Sequence, residues 1–242
     1  MAWESVRNCG KIKEGFKKIP LTNGKIKTGE FFGATLMEFA KVSTRAYDSV
    51  GDISFAYKER QFSSVFLPAF YNLGYGVIQE IPTRRKERGE ECSHGWLDYW
   101  VQKDENCVYL IEMKHGWQHL DGDITQGSIG KILSSVNQLK CIRKKEVEKL
   151  SCLENTFKVS LLVFPVYRNI PKNLEISEDE EFPTSTDELD EMLDKITVAM
   201  PDVVSWLGVW SLPERMQYAF RSNEVKGLRS FPGVVLIATI VK

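Results

Sequence analysis

HGWLDYWVQKDENCVYLIEMKHGW, running from His94 to Trp117, is the stretch that decides the fold. WLDYWV and VYLIEMK are rich in aromatic and β-branched residues, and the polar QKDEN between them is turn-like, the pattern of a β-hairpin. A three-residue loop of Asp104, Glu105 and Asn106, with Asn106 left-handed, fixes the register. Val101 then faces Tyr109, Tyr99 faces Ile111, and Asp98 faces Glu112. Directly opposed residues have Cβ atoms about 5 Å apart on one face. Lys114, two residues beyond Glu112, points the same way. Two carboxylates and an ammonium are thus expected on one face, flanked by Trp96, Trp100 and Leu110.

Like charges opposed across a ladder are destabilising. A shared proton, the lysine or a divalent cation would neutralise them. Hard cations such as Mg²⁺ take oxygen ligands from one or two carboxylates plus water, so one reading is a metal site. The other is a surface hairpin with a charged solvent face, where Lys114 pairs across the strands with Asp98.

Before the hairpin, apolar residues at Phe62, Val65, Phe66, Ala69, Phe70 and Leu73 mark one face of a helix over residues 57–73. Pro68 is expected to kink or break it. On a helical wheel Glu59 falls within about 20° of Phe66 and Phe70. Its carboxylate either stays wet at the positive end of the helix dipole or reaches the site of Asp98 and Glu112. Gly74-Tyr75-Gly76 ends the helix, VIQEI forms a strand stopped by Pro82, and TRRKERGEE is a charged loop. Upstream, residues 1–30 read as a loose arm or short hairpin and 31–47 as a helix.

After Lys114, HGWQHLDGDITQGSIG reads as a loop, 131–150 as a helix and FKVSLLVFPV as a buried strand. An acidic loop covers 171–183. Ser185 and Glu188 form a capping box that opens a helix carrying Leu189, Met192, Leu193 and Ile196. VVSWLGVWSL and VVLIATIV are two further strands. The expected organisation is a single α/β domain, with an N-terminal arm and helix (1–56) packed on a core (57–242).

The chain has 242 residues, 43% of them hydrophobic, enough for a sizeable core. No run of about 18 apolar residues is present, so no membrane span is expected. The N-terminus has no apolar stretch of the secretory type. Five scattered cysteines (Cys9, Cys92, Cys107, Cys141, Cys152) without a C-x-x-C read as free thiols in a reducing cytoplasm. A net charge of −1 argues against a strong sequence-independent nucleic-acid binder. Local basic runs at KIKEGFKK, RRKER and RKKEVEK leave room for a polyanion met through a patch.

The element order from Tyr57 is helix, three strands, helix, strand, with Asp98 on the second strand and Glu112-x-Lys114 on the third. This resembles the PD-(D/E)XK nuclease superfamily, of restriction-endonuclease-like fold, over roughly residues 58–166. The resemblance implies a central mixed sheet flanked by helices. It also implies a nuclease that hydrolyses nucleic-acid phosphodiester bonds, DNA before RNA, with Mg²⁺ or Mn²⁺. Asp98, Glu112, the Met113 carbonyl and Glu59 would hold the metal, and Lys114 would hold the attacking water or the phosphate. A homodimer follows if both strands of a duplex are cut. Leu97 stands where the family's name-giving proline would be. Some branches carry a glutamine on the following helix, but Gln138 falls off that helix's apolar face.

Two other readings compete. His115, His119, Asp121 and Asp123 contain two histidines four apart, a zinc-like spacing, but Gly116 disfavours helix there. The chain could also be a catalytically inactive binding or regulatory protein on the same fold. Trp96 and Trp117 suit either base stacking or core packing, and Trp100 suits core.

Overall fold

The computed structural model describes residues 2–15, 23–56, 59–86, 92–151, 153, 155–171, 173–200, 203–221 and 227–241. For 23–25, 59, 60, 85, 86, 92–94 and 144 it describes the backbone alone. The strands are β1 (Glu4–Ser5), β2 (Lys11–Gly15), β3 (Gly76–Lys86), β4 (Cys92–Asp104), β5 (Cys107–His115), β6 (Gln118–His119), β7 (Asn155–Asn169), β8 (Trp206–Ser211), β9 (Phe220–Arg221) and β10 (Leu228–Val241). The α-helices are α1 (Asn23–Val50), α2 (Glu59–Asn72), α3 (Gln126–Lys140), α4 (Lys144–Leu150) and α5 (Thr186–Ala199).

The strands form one open ten-stranded sheet in the order β1-β2-β8-β10-β7-β5-β4-β3, with β6 paired to β7 and β9 to β10. It is mixed: β5 and β6 run parallel to β7, whereas β4 and β10 are antiparallel to their neighbours. The parallel step from β5 to β7 needs a crossover, which α3 and α4 supply.

Helices cover both faces. Phe31, Phe32 and Phe39 of α1 and Phe62, Phe66 and Phe70 of α2 share a core with Tyr99, Val101, Tyr109 and Ile111. All six phenylalanines are fully buried, and each such side chain stabilises by about 1.5–3 kcal/mol. On the opposite face, Ile132 of α3 and Leu189, Met192 and Ile196 of α5 pack on Leu162, Phe164, Val235 and Ile237. Between these layers β5 is buried from Cys107 to Met113, as befits a central strand with a parallel neighbour.

Several expectations are corrected. β3 does not stop at Pro82 but pairs it with Trp96; β3 is the edge of the sheet, where a missing N–H is tolerated. α2 runs through Pro68, so of the kink or break expected there the break is absent. The predicted helix over 131–150 is two helices, and the first begins at Gln126, inside the predicted loop. Thr125 caps it by accepting from Ser128 N–H. Of the two readings of the N-terminal arm the hairpin is the one observed, and its β2 pairs with β8; α1 begins eight residues earlier than expected, at Asn23.

The capping box at α5 forms as read: Ser185 Oγ accepts from Glu188 N–H, and Glu188 Oε2 accepts from Ser185 N–H. Ser185→Ala should cost about 1 kcal/mol of unfolding free energy. Burial tends to raise the Glu188 pKa, but bonds from Arg168 and Ser185 outweigh it and hold the carboxyl below its usual range. A depressed carboxylate contributes stability that is present above its unfolded pKa and lost as pH falls through the folded one. Glu188→Gln should therefore flatten the stability–pH curve below about pH 4.5, the ordinary glutamate range. Urea unfolding at pH 7 and pH 3 checks both variants.

Candidate active site

β4 and β5 keep the predicted register where Val101 faces Tyr109 and Tyr99 faces Ile111, and the ladder ends there. The turn differs. Glu105 and Asn106 connect the strands, and the irregularity between Gln102 and Asp104 takes up the odd residue. Asn106 is not left-handed, since Asn8, Glu80 and Asp179 are the non-glycine residues with positive φ among those described. Its N–H donates instead to Asp104 Oδ1 at 2.9 Å.

Past the last rung the two strands are joined through a side chain. Met113 N–H donates to Asp98 Oδ2 at 2.6 Å. A continued ladder would have offered that amide to the Leu97 carbonyl. The N–H and C=O of a strand residue point the same way, so the Met113 carbonyl also faces the Asp98 side.

The neighbouring strand is distorted at the same level. Pairing of β3 with β4 runs through Gln79–Tyr99 and resumes at Ile81–Leu97. Between them Glu80 has φ +52°, which costs on the order of 1–2 kcal/mol for a residue with a Cβ. The rung also reverses facing. Tyr99 belongs to the core under α1 and α2, with its hydroxyl bonded to Ser63 of α2. Leu97 and Ile81 belong to the cluster with Leu139 of α3. Regular alternation would put Leu97 and Tyr99 on one face. Asp98 sits at the inversion.

Glu112 lies between Ile111 and Met113 of the α1–α2 core, so its side chain takes the opposite face with Leu110. It is 3% exposed. Lys114 Nζ donates to Glu112 Oε1 at 3.0 Å. Glu112, not Asp98 across the strands, is therefore the partner seen for Lys114. Ser160 is Glu112's partner on β7, and its hydroxyl is hydrogen-bonded to that of Ser135 on α3. One turn on, the side-chain oxygen of Gln138 is buried without a hydrogen-bond partner. Lys131 Nζ donates to the His115 carbonyl at 2.6 Å and ties α3 to the end of β5.

Glu59 is the first residue of α2; its side chain lies outside the described residues. α2 packs on the face of Ile111 and Met113. Any site it shares with Glu112 would therefore have to reach from one face of the sheet to the other at Asp98.

His115 and His119 are held apart. The His115 ring packs on Phe62 and Trp117, and that of His119 on Tyr167. Burial, with Lys131 nearby, holds the His115 pKa down to about 4, so the ring is neutral at pH 7. Among the described residues no three His, Cys, Asp or Glu side chains form a metal-holding group. Trp100 is core, donating from Nε1 to the Leu150 carbonyl at 2.7 Å. Trp117 stacks on Phe231, and Trp96 is 61% exposed.

Ser160 and Ser135 were missed by sequence reasoning. The signal was a lone serine in the apolar run FKVSLLVFPV, and a second on the apolar face of α3. Among the described residues no helix is long and apolar enough to cross a membrane. Compared with protein-family models, curated proteins and solved structures, the chain matches none of them.

Proposed function

We propose that the protein is a metal-dependent nuclease of restriction-endonuclease-like fold, hydrolysing phosphodiester bonds in DNA in preference to RNA. The observation that carries this reading is the bond from Met113 N–H to Asp98 at 2.6 Å. It draws one carboxylate to the residue lying between Glu112 and Lys114. The succession α2, β3, β4, β5, α3, β7 supports it, because it is the helix, three strands, helix, strand order of the resemblance.

The donor chemistry fits Mg²⁺ or Mn²⁺. Two carboxylates on adjacent strands are hard oxygen donors, and Mg²⁺ is commonly held by one or two carboxylates while keeping several waters. Asp98, Glu112 and the Met113 carbonyl would hold the ion, with Glu59 as a further ligand. When bound, the ion supplies Lewis acidity at the phosphate and lowers the pKa of a water.

The chain's own residues do the rest. Burial of Glu112 keeps its carboxylate in a medium where charge interactions are stronger than in water. Lys114, on the same face, offers a compact ammonium to the attacking water or the phosphate. The Met113 amide fixes Asp98 in orientation. Cleavage of plasmid, linear duplex, single-stranded DNA and RNA is the test, with Mg²⁺ or Mn²⁺ and with EDTA. Wild type should cut DNA only with metal, and Glu112→Ala should not cut. Full metal-dependent activity in Glu112→Ala would overturn the assignment.

One observation favours the second reading, an inactive binding or regulatory protein on the same fold. Lys114 already pairs with Glu112, so Glu112 does not require a cation for its charge balance. Metal binding without cleavage of any substrate would favour it.

A further inference from the structure

We propose that the far half of the β3–β4 ribbon, together with α4, forms a basic surface that grips the phosphate backbone of a DNA duplex beside Asp98. The proposal rests on the nucleic-acid reading above and names the element that holds the substrate.

The ribbon outruns its neighbour. The β4–β5 ladder ends at Tyr99–Ile111, whereas β3 and β4 stay paired from Ile81–Leu97 to Lys86–Cys92. Six rungs at about 3.3 Å each make an arm whose pairing runs roughly 17–20 Å past the last β4–β5 rung, its inner part still tied to β5, which runs on to His115. It begins at the rung where Asp98 leaves the ladder. Arg84 and Trp96 are exposed on it, and the register puts Arg85 and Lys86 toward its end.

α4 braces the base of this arm. Val147 and Leu150 pack with Ile81, Leu97 and Trp100, and Trp100 Nε1 bonds the Leu150 carbonyl. Arg143, Lys145 and Lys149 are exposed beside it. Glu146 reports the convergence: its pKa is lowered mainly by the bond from Lys149, with Arg84 and Arg143 both contributing. Arg84 thus lies near the basic residues around α4, nearly sixty residues away in sequence, with Glu146 paired to Lys149 and Glu148 among them.

The net charge of −1 conceals this because the charges are segregated. Residues 175–194 carry ten carboxylates and no lysine or arginine. Their helix, α5, packs against Phe164, Val209 and Val235, on β7, β8 and β10. The cationic arm is at the opposite, β3 edge of the sheet.

A duplex is the favoured polyanion because of the arm's shape. The major groove of B-DNA, about 12 Å wide, admits a two-stranded ribbon. The deep, narrow major groove of an RNA duplex does not admit protein side chains.

The test is fluorescence anisotropy of a labelled 20-base-pair DNA duplex in EDTA, so that binding is read without cutting. The full chain is compared with Arg84→Ala/Arg143→Ala/Lys145→Ala. A control, Lys11→Ala/Arg45→Ala/Lys195→Ala, removes the same charge elsewhere. All six side chains are exposed, and thermal melting checks folding. The arm variant should bind at least tenfold more weakly. Its plot of log affinity against log salt should be shallower by about 2–3, since each phosphate that is no longer neutralised takes roughly 0.9 from the slope. The control should match wild type. Unchanged binding in the arm variant, equal weakening in the control, or equal affinity for single-stranded DNA or an RNA duplex would each overturn the proposal. Binding as expected by a protein that never cuts would uphold the arm while removing the nuclease reading.

Discussion

Asp98→Asn is expected to lower metal-dependent cleavage by about 10²–10³-fold, the cost of losing one charge-stabilising group at a reacting centre, while leaving stability within about 1 kcal/mol of wild type. Asp98→Ala should lose the same activity and also about 1.5–3 kcal/mol of stability, the range for a hydrogen bond to a charged group. The difference arises because Asp98 has one duty in the structure and a second under the proposed function. Its Oδ2 accepts the Met113 N–H at 2.6 Å, where the strands have no backbone ladder. An asparagine carbonyl oxygen can take that same proton, but it brings no charge for a cation. Urea unfolding beside a Mg²⁺ cleavage assay separates the two. Wild-type cutting by Asp98→Asn would remove Asp98 from the proposed metal site and leave it a structural clasp.

This clasp marks the limit of what the sequence discloses. Alternating aromatic and apolar residues in WLDYWV and VYLIEMK fix the register through Tyr99–Ile111, because slipping by one residue would turn every side chain to the wrong face. The next rung obeys no such pattern. Leu97 looks like a residue for the Tyr99 face, yet it is fully buried in the cluster with Leu139. The inversion relies on a left-handed Glu80, and glutamate carries no sequence signal for that conformation. The sequence pattern therefore reaches as far as Tyr99–Ile111; the expected rung of Asp98 with Glu112 is not part of the ladder, and Asp98 is held instead by the Met113 N–H.

Helix boundaries were obscured by glycines. Gly127 and Gly130 read as loop, each costing about 1 kcal/mol relative to alanine, yet α3 includes both because Thr125 caps it and Ile132 and Leu139 bury its face. Gly33, already inside the expected helix, lies against the carboxylate end of Glu14 on β2. Glu14 in turn accepts from Trp206 Nε1 at 2.9 Å. That bond joins positions 192 residues apart, and no local pattern announces it. Pro82 misled for the converse reason. Its effect depends on which strand is the edge, a property of the assembled sheet.

Removing the lysine tests how the buried carboxylate is neutralised. Glu112 keeps 4% of its side chain exposed and Lys114 22%. Breaking a buried pair by deleting one partner costs about 3–5 kcal/mol, because a charge is left uncompensated. With the ammonium partly in water, Lys114→Met should lose somewhat less, about 2–4 kcal/mol, in EDTA. Glu112→Leu/Lys114→Met should recover most of that loss, since apolar residues of similar volume often replace a buried pair at little cost. A cation that binds the folded state alone stabilises it by mass action. Without the ammonium, the Glu112 carboxylate gains more from a cation, so millimolar Mg²⁺ should raise the melting temperature of Lys114→Met more than that of wild type. A Lys114→Met protein as stable as wild type in EDTA would show that the ion pair contributes nothing to holding Glu112. A destabilised variant that Mg²⁺ fails to rescue would instead make the lysine itself the required counter-charge, and would shift the balance to a binding protein that has no use for a metal.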